Sequence, residues 1–342
     1  YFKKMIKKSS CIMINTPKFW YKKDLISKFK TLLLLPFSIV WILLSLMKKN
    51  FVKKYKSRLK VICIGNLNIG GTGKTPFSIQ TYKMLEILGY KPVFLTRGYR
   101  GLTKGPILVN KSHNHKDVGD EALLLSKVGT TIVSSNRCIG AKYIENLKKN
   151  YDIIIMDDGL QNYQLEQDIK LLLIDKKLLF GNGYCIPAGP LRQTITQGLK
   201  KIDAIIFTGD GDTKDINLNF INNIQNFDTK LKIKNTFKPK QNNFLAFCAL
   251  GNPIKFFNTL KKNNFKIVLT KSFPDHYEYK NKDINTLKEE ADNRNLKLIT
   301  TEKDYVKIDD KENEISVLPI EINFSKADGN KFKSFLKEKI ND

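Results

Sequence analysis

The feature that most constrains this chain is a glycine-rich turn that joins a short apolar run to a helix-like segment. Residues 61–65 read VICIG, residues 68–75 read NIGGTGKT, and a helix-like segment follows over residues 75–88 until Gly89. A strand, a glycine-rich turn ending in Lys-Thr and a helix form the context that a phosphate-binding loop requires. The sequence therefore predicts an α/β fold in which this turn faces a nucleotide.

The residue types within the turn suit the binding of nucleotide phosphates. The glycines let backbone N–H groups converge on phosphate oxygens, and the N-terminus of the following helix adds positive potential. Lys74 would reach the β- and γ-phosphates of ATP, and Thr75 would bind Mg²⁺ through its hydroxyl. The predicted ATP-binding residues are Asn68, Ile69, Gly70, Gly71, Thr72, Gly73, Lys74 and Thr75.

A second motif lies downstream, where residues 151–159 read YDIIIMDDG. An apolar strand that ends in acidic residues places a carboxylate at the strand's carboxyl end, where it can hold Mg²⁺ directly or through water. A solvated turn is the alternative for such a strand on its own, but the upstream phosphate-binding loop favours a metal site. We therefore predict that Asp157 and Asp158 bind Mg²⁺ together with Thr75. The guanine-reading pattern N-K-x-D of GTPases is absent, and residues 301–304 (TEKD) resemble it only superficially.

Short apolar runs alternate with helix-like segments from residue 59 onward. Fully apolar strands that alternate with helices indicate a parallel sheet covered on both faces. Strands are predicted over residues 91–96, 107–109, 131–134, 152–156, 171–174 and 204–207, and helices over residues 121–127 and 138–149. In a second α/β unit, strands are predicted over residues 244–250, 266–270 and 297–300, and helices over residues 254–262 and 283–294.

This pattern divides the chain into four parts. We predict a membrane anchor with basic flanks over residues 13–58 and a P-loop domain over residues 59–209. An Asn- and Lys-rich connection, or an elaborated sheet edge, follows over residues 210–243, and a smaller C-terminal α/β domain over residues 244–342. The fold class is therefore α/β, with a parallel sheet domain like that of P-loop NTPases, a second α/β domain and a membrane-associated N-terminal helix. We expect residues 1–12 to be a dispensable extension, because Met13 is a plausible start.

The anchor is predicted from an apolar segment over residues 31–47, which carries no charged side chain. Its 17 residues are at the lower limit for a spanning helix, and Pro36 is expected to kink or break it. Lysines lie on both sides of the segment, so an uncleaved anchor that is half-inserted or barely spans the bilayer is expected. The alternative is a buried helix of a soluble domain.

The charge of the chain points to anionic partners. The formal net charge is +26, and the first 60 residues contribute +15 of it. The composition of the source genome is an alternative cause for the rest of the chain, but not for the concentration around one apolar segment. We therefore expect contact with anionic membrane lipids. We expect no nucleic-acid partner, because the basic residues are not interleaved with aromatic residues along a groove.

Several single residues are candidates on weaker grounds. The chain prefers Lys to Arg, so each Arg stands out as a bidentate phosphate ligand, although ordinary surface charge is the alternative. We single out Arg137 and Arg192 for substrate or phosphate binding. Asp120 lies at a predicted loop-to-helix junction and could be an N-cap. His276 lies in a short loop and could be a surface histidine. The five cysteines are scattered, which argues for reduced thiols on the cytosolic side.

Taken together, these segments resemble the tetraacyldisaccharide 4'-kinases, or lipid A 4'-kinases. The matching motifs follow in order over most of the chain: PKFW (17–20), GNLNIGGTGKTP (65–76), RGYRG (97–101), VGDE (118–121), DDGLQ (157–161), FGNG (180–183), PAGPLR (187–192), FPDHY (273–277) and TTEKD (300–304). Asn68, at the position where most phosphate-binding loops have their first glycine, is similar to the family pattern.

The resemblance implies two α/β/α domains joined by a hinge, an N-terminal helix in the inner membrane and an active site on the cytoplasmic face. It implies transfer of the γ-phosphate of ATP to the 4'-hydroxyl of a tetraacyldisaccharide 1-phosphate, a lipid A precursor. It also implies that Asp120 and His276 form a dyad that activates this hydroxyl. We expect a monomer.

Three positions depart from the family pattern. Gln193 replaces the usual Glu, Asn162 replaces a common His, and Ala122 replaces a common Pro. A carboxylate at position 193 would assist the metal or the substrate in relatives, and Gln193 cannot supply that charge. A membrane-associated P-loop ATPase that acts on a cargo remains the alternative function, because it would share the loop and the basic anchor.

Overall fold

The computed structural model describes residues 17–211, 223–234, 243–308 and 314–342, so the expectation for residues 1–12 lies outside the described part. The helices are α1 (Leu25–Phe51), α2 (Lys74–Ile87), α3 (His115–Val118), α4 (Asp120–Ser126), α5 (Arg137–Glu145), α6 (Ile195–Leu199), α7 (Pro253–Lys262), α8 (Asn281–Asp292), α9 (Glu302–Tyr305) and α10 (Lys326–Asn341). The strands are β1 (Lys60–Gly65), β2 (Pro92–Thr96), β3 (Ile107–Leu108), β4 (Thr131–Val133), β5 (Ile153–Asp157), β6 (Ile169–Asp175), β7 (Ala204–Thr208), β8 (Gln225–Ile233), β9 (Asn243–Cys248), β10 (Lys266–Ser272), β11 (Lys297–Thr301), β12 (Ile315–Leu318) and β13 (Ile320–Phe324).

The N-terminal apolar segment forms one continuous helix, α1. Asp24 caps it by accepting a hydrogen bond from the Ser27 N–H at 2.8 Å. Pro36 lies inside the helix, and the helix continues past it to Phe51. Residues 25–49 are long and apolar enough to cross a membrane, and only 11% of the most apolar window is buried. The helix is therefore not a core helix of this fold.

Within the described residues, the larger sheet has nine strands in the order β13-β8-β7-β6-β1-β5-β2-β4-β3. Neighbouring strands are parallel except at the two edges, where β3 pairs antiparallel with β4 and β13 pairs antiparallel with β8. β1 lies between β5 and β6, so the turn after β1 projects from the middle of the sheet. In open α/β sheets, ligands bind outside the carboxyl ends of such central strands.

Apolar clusters cover both faces of this sheet. One face packs residues such as Val61, Leu95 and Met156 against the loops that lie under α1. The other face packs Ile62 and Ile155 against α2 and α10. The strands are almost fully buried, which is why they read as continuous apolar runs, and the predicted parallel sheet domain is confirmed.

The smaller sheet, as far as the structure describes the chain, has four parallel strands in the order β10-β9-β11-β12. α7 covers one face with Phe256 and Leu260, and α8 covers the other with Ile284 and Leu287. These two faces make a second α/β unit, in agreement with the sequence pattern.

The end of the chain differs from the predicted division, which placed residues 244–342 in one unit. β13 pairs with β8, a strand within the predicted connection, and both belong to the nine-stranded sheet. α10 then packs on the first core through Phe332 and Leu336, which are fully buried. The second unit is therefore inserted between β8 and β13. Local apolar patterning cannot show this, because it does not indicate which sheet a strand joins.

Candidate active site

The glycine-rich turn lies between β1 and α2 in an open conformation. Gly70 has a φ of 117° and Gly73 has a φ of 87°, values that L-residues rarely adopt. A methyl group added to Gly70 or Gly71 would meet no other heavy atom within 4 Å, so the outer side of the turn has free space. The turn therefore combines the backbone freedom and the room that a phosphate chain requires.

Asn68 has a structural role that accounts for its presence in place of a glycine. Its side-chain Nδ2 donates a hydrogen bond to the carbonyl oxygen of Leu179 at 2.7 Å, and only 5% of the residue is exposed. The next residue, Ile69, donates its N–H to the carbonyl oxygen of Pro190 at 2.8 Å. These bonds attach the start of the turn to the segment over residues 179–191.

Lys74 is the first residue of α2, and its ammonium lies among polar groups of the turn. Its Nζ donates to Oδ1 of Asn66 at 3.1 Å and lies 3.7 Å from Oδ1 of Asp158. The Asn66 carbonyl accepts a hydrogen bond from Nε2 of Gln161 at 3.0 Å. The ammonium is therefore held at the end of the β1–β5 pair, beside the open turn.

Two hydroxyls of α2 hold the carboxylate that ends β5. Thr75 Oγ1 donates to Oδ2 of Asp157 at 3.2 Å, and Ser78 Oγ donates to Oδ1 at 2.8 Å. Burial, together with the neighbouring charges of Glu121 and Asp158, raises the pKa of Asp157 to about 7 against the opposing effect of the Ser78 bond. Such a buried carboxylate would be stabilised in its ionised form by a cation.

The neighbouring carboxylate, Asp158, faces two cations. Arg192 donates from its guanidinium to Oδ1 of Asp158 at 2.8 Å and also to Oε1 of Gln161 at 3.2 Å. Burial alone would raise the pKa of Asp158, but the charges of Lys74 and Arg192 outweigh it and lower the pKa. Asp158 also has a φ of 52°, so the backbone turns sharply after β5.

These residues suit Mg²⁺ better than a metal that needs an all-protein cage. Among the residues that the structure describes, no three His, Cys, Asp or Glu side chains form a group that could hold a metal ion. Mg²⁺ in nucleotide sites takes one or two carboxylates together with phosphate oxygens and waters. The oxygens of Thr75, Asp157 and Asp158 fit that requirement.

Arg137 begins α5 and is only 3% exposed. Its guanidinium donates to the carbonyl oxygen of Ser134 at 2.6 Å, while its Nε has no hydrogen-bond partner among the described residues. Burial lowers the pKa of Arg137 to about 10, and the charge of Asp158 opposes this effect. A buried cation with a free donor is available to an anionic ligand.

Asp120 and His276 meet although they come from different units. Nδ1 of His276 lies 3.1 Å from Oδ2 of Asp120, and Asp120 is only 4% exposed. Asp120 is the first residue of α4 and not its N-cap, since Gly119 holds that position. Burial would raise the pKa of Asp120, but the hydrogen bond from His276 and the charge of Lys303 lower it to about 2. Asp120 is therefore ionised at neutral pH.

Two residues of the RGYRG segment hold the loop that carries His276. The Arg100 guanidinium donates to the carbonyl oxygen of His276 at 3.0 Å, and the Tyr99 ring meets the imidazole edge-on with centroids 5.3 Å apart. His276 has a φ of 57°, and its N–H donates to the Ala249 carbonyl at 3.3 Å. Both units therefore fix the position of this ring.

Sequence reasoning did not identify three polar neighbours of these groups. Ser78 lies one helical turn after Thr75, a spacing that could have indicated a shared face. Glu121 and Lys303 are joined across the two units, with Lys303 Nζ 3.6 Å from Oε1 of Glu121. No local pattern predicts this contact, because it depends on the packing of α4 against α9.

Gln193, which replaces the glutamate of the family pattern after Arg192, is buried, with 7% of the residue exposed. Its Oε1 accepts a hydrogen bond from the Tyr163 hydroxyl at 3.2 Å. The amide therefore has a partner that suits it without a charge.

α1 packs against the segment that holds the phosphate-binding turn. Ser38 Oγ donates to the Cys185 carbonyl at 2.7 Å and accepts from the Ala188 N–H at 3.1 Å. Asn182 Nδ2 donates to Thr31 Oγ1 at 3.1 Å. One face of α1 is thus fixed to residues 182–192, and its other faces are exposed.

A family model and curated relatives match most of the chain. The tetraacyldisaccharide-1-P 4'-kinase family, LpxK, matches the chain over residues 30–341. The tetraacyldisaccharide 4'-kinase of Rickettsia canadensis (strain McKiel) is 37% identical over 332 residues, which cover 96% of this chain and 99% of that protein. The protein of the same name from Rickettsia felis is 36% identical over 331 residues and covers 96% of this chain and 99% of its own length.

A solved structure resembles the fold over nearly its whole length. LpxK from Aquifex aeolicus, crystallised in complex with ATP, matches with a TM-score of 0.72 and 25% sequence identity, over 91% of this chain and 99% of that one. The α/β fold class and the family resemblance are thereby confirmed, and a cargo ATPase is not favoured. The chain belongs to the tetraacyldisaccharide-1-P 4'-kinase family.

Proposed function

We propose that this chain transfers the γ-phosphate of ATP to the 4'-hydroxyl of a tetraacyldisaccharide 1-phosphate, the lipid A precursor that its family is named for. One observation carries the proposal beyond the family match: the Asp120–His276 pair joins the two units on the side of the sheet that also holds Asp157. Glu121, the neighbour of Asp120, is close enough to raise the pKa of Asp157. The pair and the phosphate-binding turn therefore share one electrostatic environment.

The ATP phosphates would lie on the turn from Asn68 to Thr75. The open side of Gly70 and Gly71 supports this placement, as does the solved ATP complex of LpxK from Aquifex aeolicus. The Lys74 ammonium would move from Asn66 and Asp158 to the β- and γ-phosphates, where it would neutralise negative charge. Positioning and charge neutralisation supply most of the acceleration in such transfers.

We assign a Mg²⁺ site to Thr75, Asp157 and Asp158. When bound, Mg²⁺ supplies charge neutralisation at the phosphates. Ser78 keeps one oxygen of Asp157 engaged at 2.8 Å, so the other oxygen is directed to Thr75 and the site. Arg192 likewise engages one oxygen of Asp158, Oδ1, at 2.8 Å.

Asp120 is the group that would accept the proton of the 4'-hydroxyl. As the hydroxyl O–H bond breaks, its proton passes to the Asp120 carboxylate, the hydroxyl oxygen bonds to the γ-phosphorus, and ADP leaves with the electrons of the bond that held the γ-phosphate. The low pKa of Asp120 makes it a weak base that orients the hydroxyl until late in the reaction. His276 would share or tune this carboxylate through its hydrogen bond.

Two arginines would hold the remaining phosphate charge. Arg137 offers an unpaired, buried Nε among the described residues, and Arg192 already lies beside Asp158 at 2.8 Å. A guanidinium can bind phosphate oxygens in pairs, so either residue would orient a phosphate of ATP or of the lipid.

We place α1 in the plane of the membrane interface, on the cytoplasmic face of the inner membrane. Its middle residues Thr31, Ser38 and Trp41 hydrogen-bond to the segment over residues 182–192, and this polar segment would enter the hydrocarbon if α1 spanned the bilayer. The faces that point away carry large exposed side chains, among them Leu32, Leu33, Phe37, Leu43 and Leu44. The flanking lysines would meet anionic headgroups.

The proposed arrangement is a monomer that binds no nucleic acid, with β8 and β13 forming the hinge between its units. His276 already lies 3.1 Å from Asp120, so opening of such a hinge would admit the two substrates and closure would restore the pair around them.

A direct assay tests the function. Detergent-purified protein is incubated with Mg-ATP labelled at the γ-phosphate and a tetraacyldisaccharide 1-phosphate, and the lipid is analysed for label. We expect label at the 4' position that is lost in Lys74→Ala and in Asp120→Ala, with ATP binding retained only in Asp120→Ala. ATP consumption without labelled lipid would refute the proposal in favour of an ATPase.

A further inference from the structure

Lys255 of the second unit contacts the ends of two neighbouring strands of the first unit. It lies in the first turn of α7, and its Nζ donates a hydrogen bond to Oδ2 of Asp175 at 3.0 Å. Asp175 is the last residue of β6 and is only 6% exposed. A methyl group on Gly209, which directly follows β7, would lie 3.8 Å from the same ammonium. The ammonium therefore lies against the carboxyl ends of β6 and β7, which pair in the sheet.

The other oxygen of Asp175 holds the segment that is attached to the phosphate-binding turn. Oδ1 accepts hydrogen bonds from the N–H groups of residues 177 and 178, at 2.9 and 3.2 Å. The carbonyl of the next residue, Leu179, accepts the bond from the Asn68 side chain at 2.7 Å. The Lys255 ammonium, the Asp175 carboxylate and the short backbone segment after it therefore connect the second unit to the start of the turn.

The end of β7 also contacts the turn. Thr208 Oγ1 donates to the Thr72 carbonyl at 3.0 Å, and the Lys176 N–H donates to the Thr208 carbonyl at 3.0 Å. The ends of β6 and β7 are thus bonded to each other, and both are bonded to the turn. Because the Lys255 ammonium lies at both strand ends, it contacts the part of the first unit that supports the turn.

The position of Lys255 on its helix is unfavourable without this contact. The N-terminal end of a helix carries partial positive charge, so a cation in the first turn destabilises the helix. The first turn of α7, all of which the structure describes, contains no acidic residue to offset that charge. The carboxylate that compensates the Lys255 ammonium comes instead from the other unit, from Asp175.

A second ion pair between the units provides a comparison. Lys262 lies two turns further along the same face of α7 and pairs with Asp210. The two side chains of that pair are 62% and 56% exposed, whereas the Asp175 side chain is 7% exposed. Water and salt screen exposed pairs, so they contribute little. Asp175 is also bonded to the segment that holds the turn, whereas Asp210 lies in exposed backbone after β7.

We propose that Lys255 is a positioning residue that couples the second unit to the phosphate-binding turn through Asp175, so that nucleotide binding and contact between the units strengthen each other. When the units separate, Asp175 loses its partner and the start of the turn is held less firmly. Coupling between two sites is reciprocal, so a nucleotide on the turn favours the contact of α7 with the first unit to the same degree. This inference rests on the proposed placement of the ATP phosphates on the turn.

Nucleotide affinity tests the coupling. Binding of Mg-ADP to the whole chain in detergent is measured by isothermal titration calorimetry. Lys255→Met should raise the Kd about fivefold, and Lys255→Arg, which keeps the cation, should recover most of the affinity. Lys262→Met removes the other ion pair on the same helix and is the matched control, with a Kd within about twofold of the unsubstituted protein. An equal loss of affinity in Lys255→Met and Lys262→Met would overturn the specific role of Lys255.

Hydrogen exchange, read by mass spectrometry, shows whether the effect passes into the first unit. Without nucleotide, Lys255→Met should speed amide exchange at residues 177–183, and Lys262→Met should not. Mg-ADP should slow exchange over α7 in the unsubstituted protein, and Lys255→Met should lose this protection. Faster exchange throughout the second unit with no change at residues 177–183 would indicate a structural role alone and would overturn the coupling.

A double-mutant cycle tests whether the two residues act as one pair. Asp175→Asn keeps an oxygen for the two backbone N–H groups but removes the charge that binds Lys255. If the pair carries the coupling, the double variant should bind Mg-ADP no more weakly than the weaker-binding single variant. Losses that multiply in the double variant would show independent effects and would overturn the proposal.

The outcomes separate this inference from the proposed reaction. An unchanged Kd for Mg-ADP in Lys255→Met overturns the coupling even in a protein that labels the lipid. The expected loss of affinity in a protein that labels no lipid supports the coupling and overturns the proposed reaction. Near-ultraviolet circular dichroism of each variant shows whether it has folded.

Discussion

Trp41 of α1 donates a hydrogen bond from Nε1 to the carbonyl oxygen of Arg192 at 2.9 Å. Arg192 in turn donates its N–H to the Leu67 carbonyl at 2.7 Å, immediately before the phosphate-binding turn. Two hydrogen bonds of the Arg192 backbone therefore connect α1 to the start of the phosphate-binding turn.

Loss of the Trp41 bond should loosen the segment over residues 182–192. Trp41→Phe keeps an aromatic side chain but removes the donor, which costs about 1 kcal/mol and should speed amide exchange in that segment about fivefold. Hydrogen exchange read by mass spectrometry measures this. Leu44→Ala, an exposed change on the same helix, should leave that segment unchanged. Equal exchange in both variants would contradict the coupling.

Gly119 should not tolerate a side chain. Its φ is 86°, and a methyl group would lie 2.5 Å from the Tyr99 carbonyl oxygen. Gly119→Ala should therefore move the start of α4 and with it Asp120, lowering kcat more than tenfold, which the labelled-phosphate assay measures. Gly89→Ala has a similar φ of 89° with no neighbour within 4 Å, so it isolates backbone strain of about 1–2 kcal/mol. Similar kcat losses in the two variants would contradict the steric argument.

The ionisation of Asp120 should make the free energy of unfolding depend on pH. Its folded pKa of about 2 is below the ordinary value of about 3.9, so its contribution is complete above about pH 5 and is lost as the pH falls towards 2. That contribution is about 2.6 kcal/mol of unfolding free energy. Asp120→Asn mimics the protonated form, so its deficit in denaturant unfolding should be largest at pH 6 and shrink by pH 3. A deficit that is independent of pH would exclude this linkage.

The exposed faces of α1 should determine membrane binding. Leu33→Asp and Phe37→Asp place charges on residues that are 65% and 63% exposed. A charge buried in hydrocarbon costs about 3 kcal/mol, so each change should weaken vesicle binding on the order of 100-fold. Flotation with anionic vesicles measures this. Ile87→Asp, on a residue of α2 that is 71% exposed, is the matched control and should bind as before. Binding unaffected by either α1 change would exclude insertion of this face.

Much of the first sheet was predictable because its strands are buried on both sides and read as continuous apolar runs. The turn from Asn68 to Thr75 and the acidic end of β5 were also predictable from local sequence, because the residues of each motif are adjacent in the chain. The Asp120–His276 pair was not visible in local pattern and came only from the family resemblance. The roles assigned to these residues remain predictions that the experiments above test.

The residues that sequence reasoning missed share one property, which is that their partners are distant in the chain. Lys303 meets His276 only because α9 packs on α4, and Arg100 reaches the carbonyl of His276 across 176 positions. β13 carries no local sign that it joins β8 and not the sheet that precedes it. Such contacts are decided by tertiary packing, which a single sequence does not encode in any short window.

The return of α10 to the first sheet has a consequence for how the chain is made. The Phe332 ring lies 5.7 Å from the ring of Phe77 in α2, and Ile322 of β13 would lie 3.6 Å from a methyl group on Gly73. During synthesis, α10, which packs on the core of the nine-stranded sheet, therefore emerges only after the inserted four-stranded unit. A chain whose synthesis stops before α10 should contain the complete four-stranded unit, but its nine-stranded sheet would lack the helix that covers one face. Such stalled chains should therefore expose apolar surface on the nine-stranded sheet.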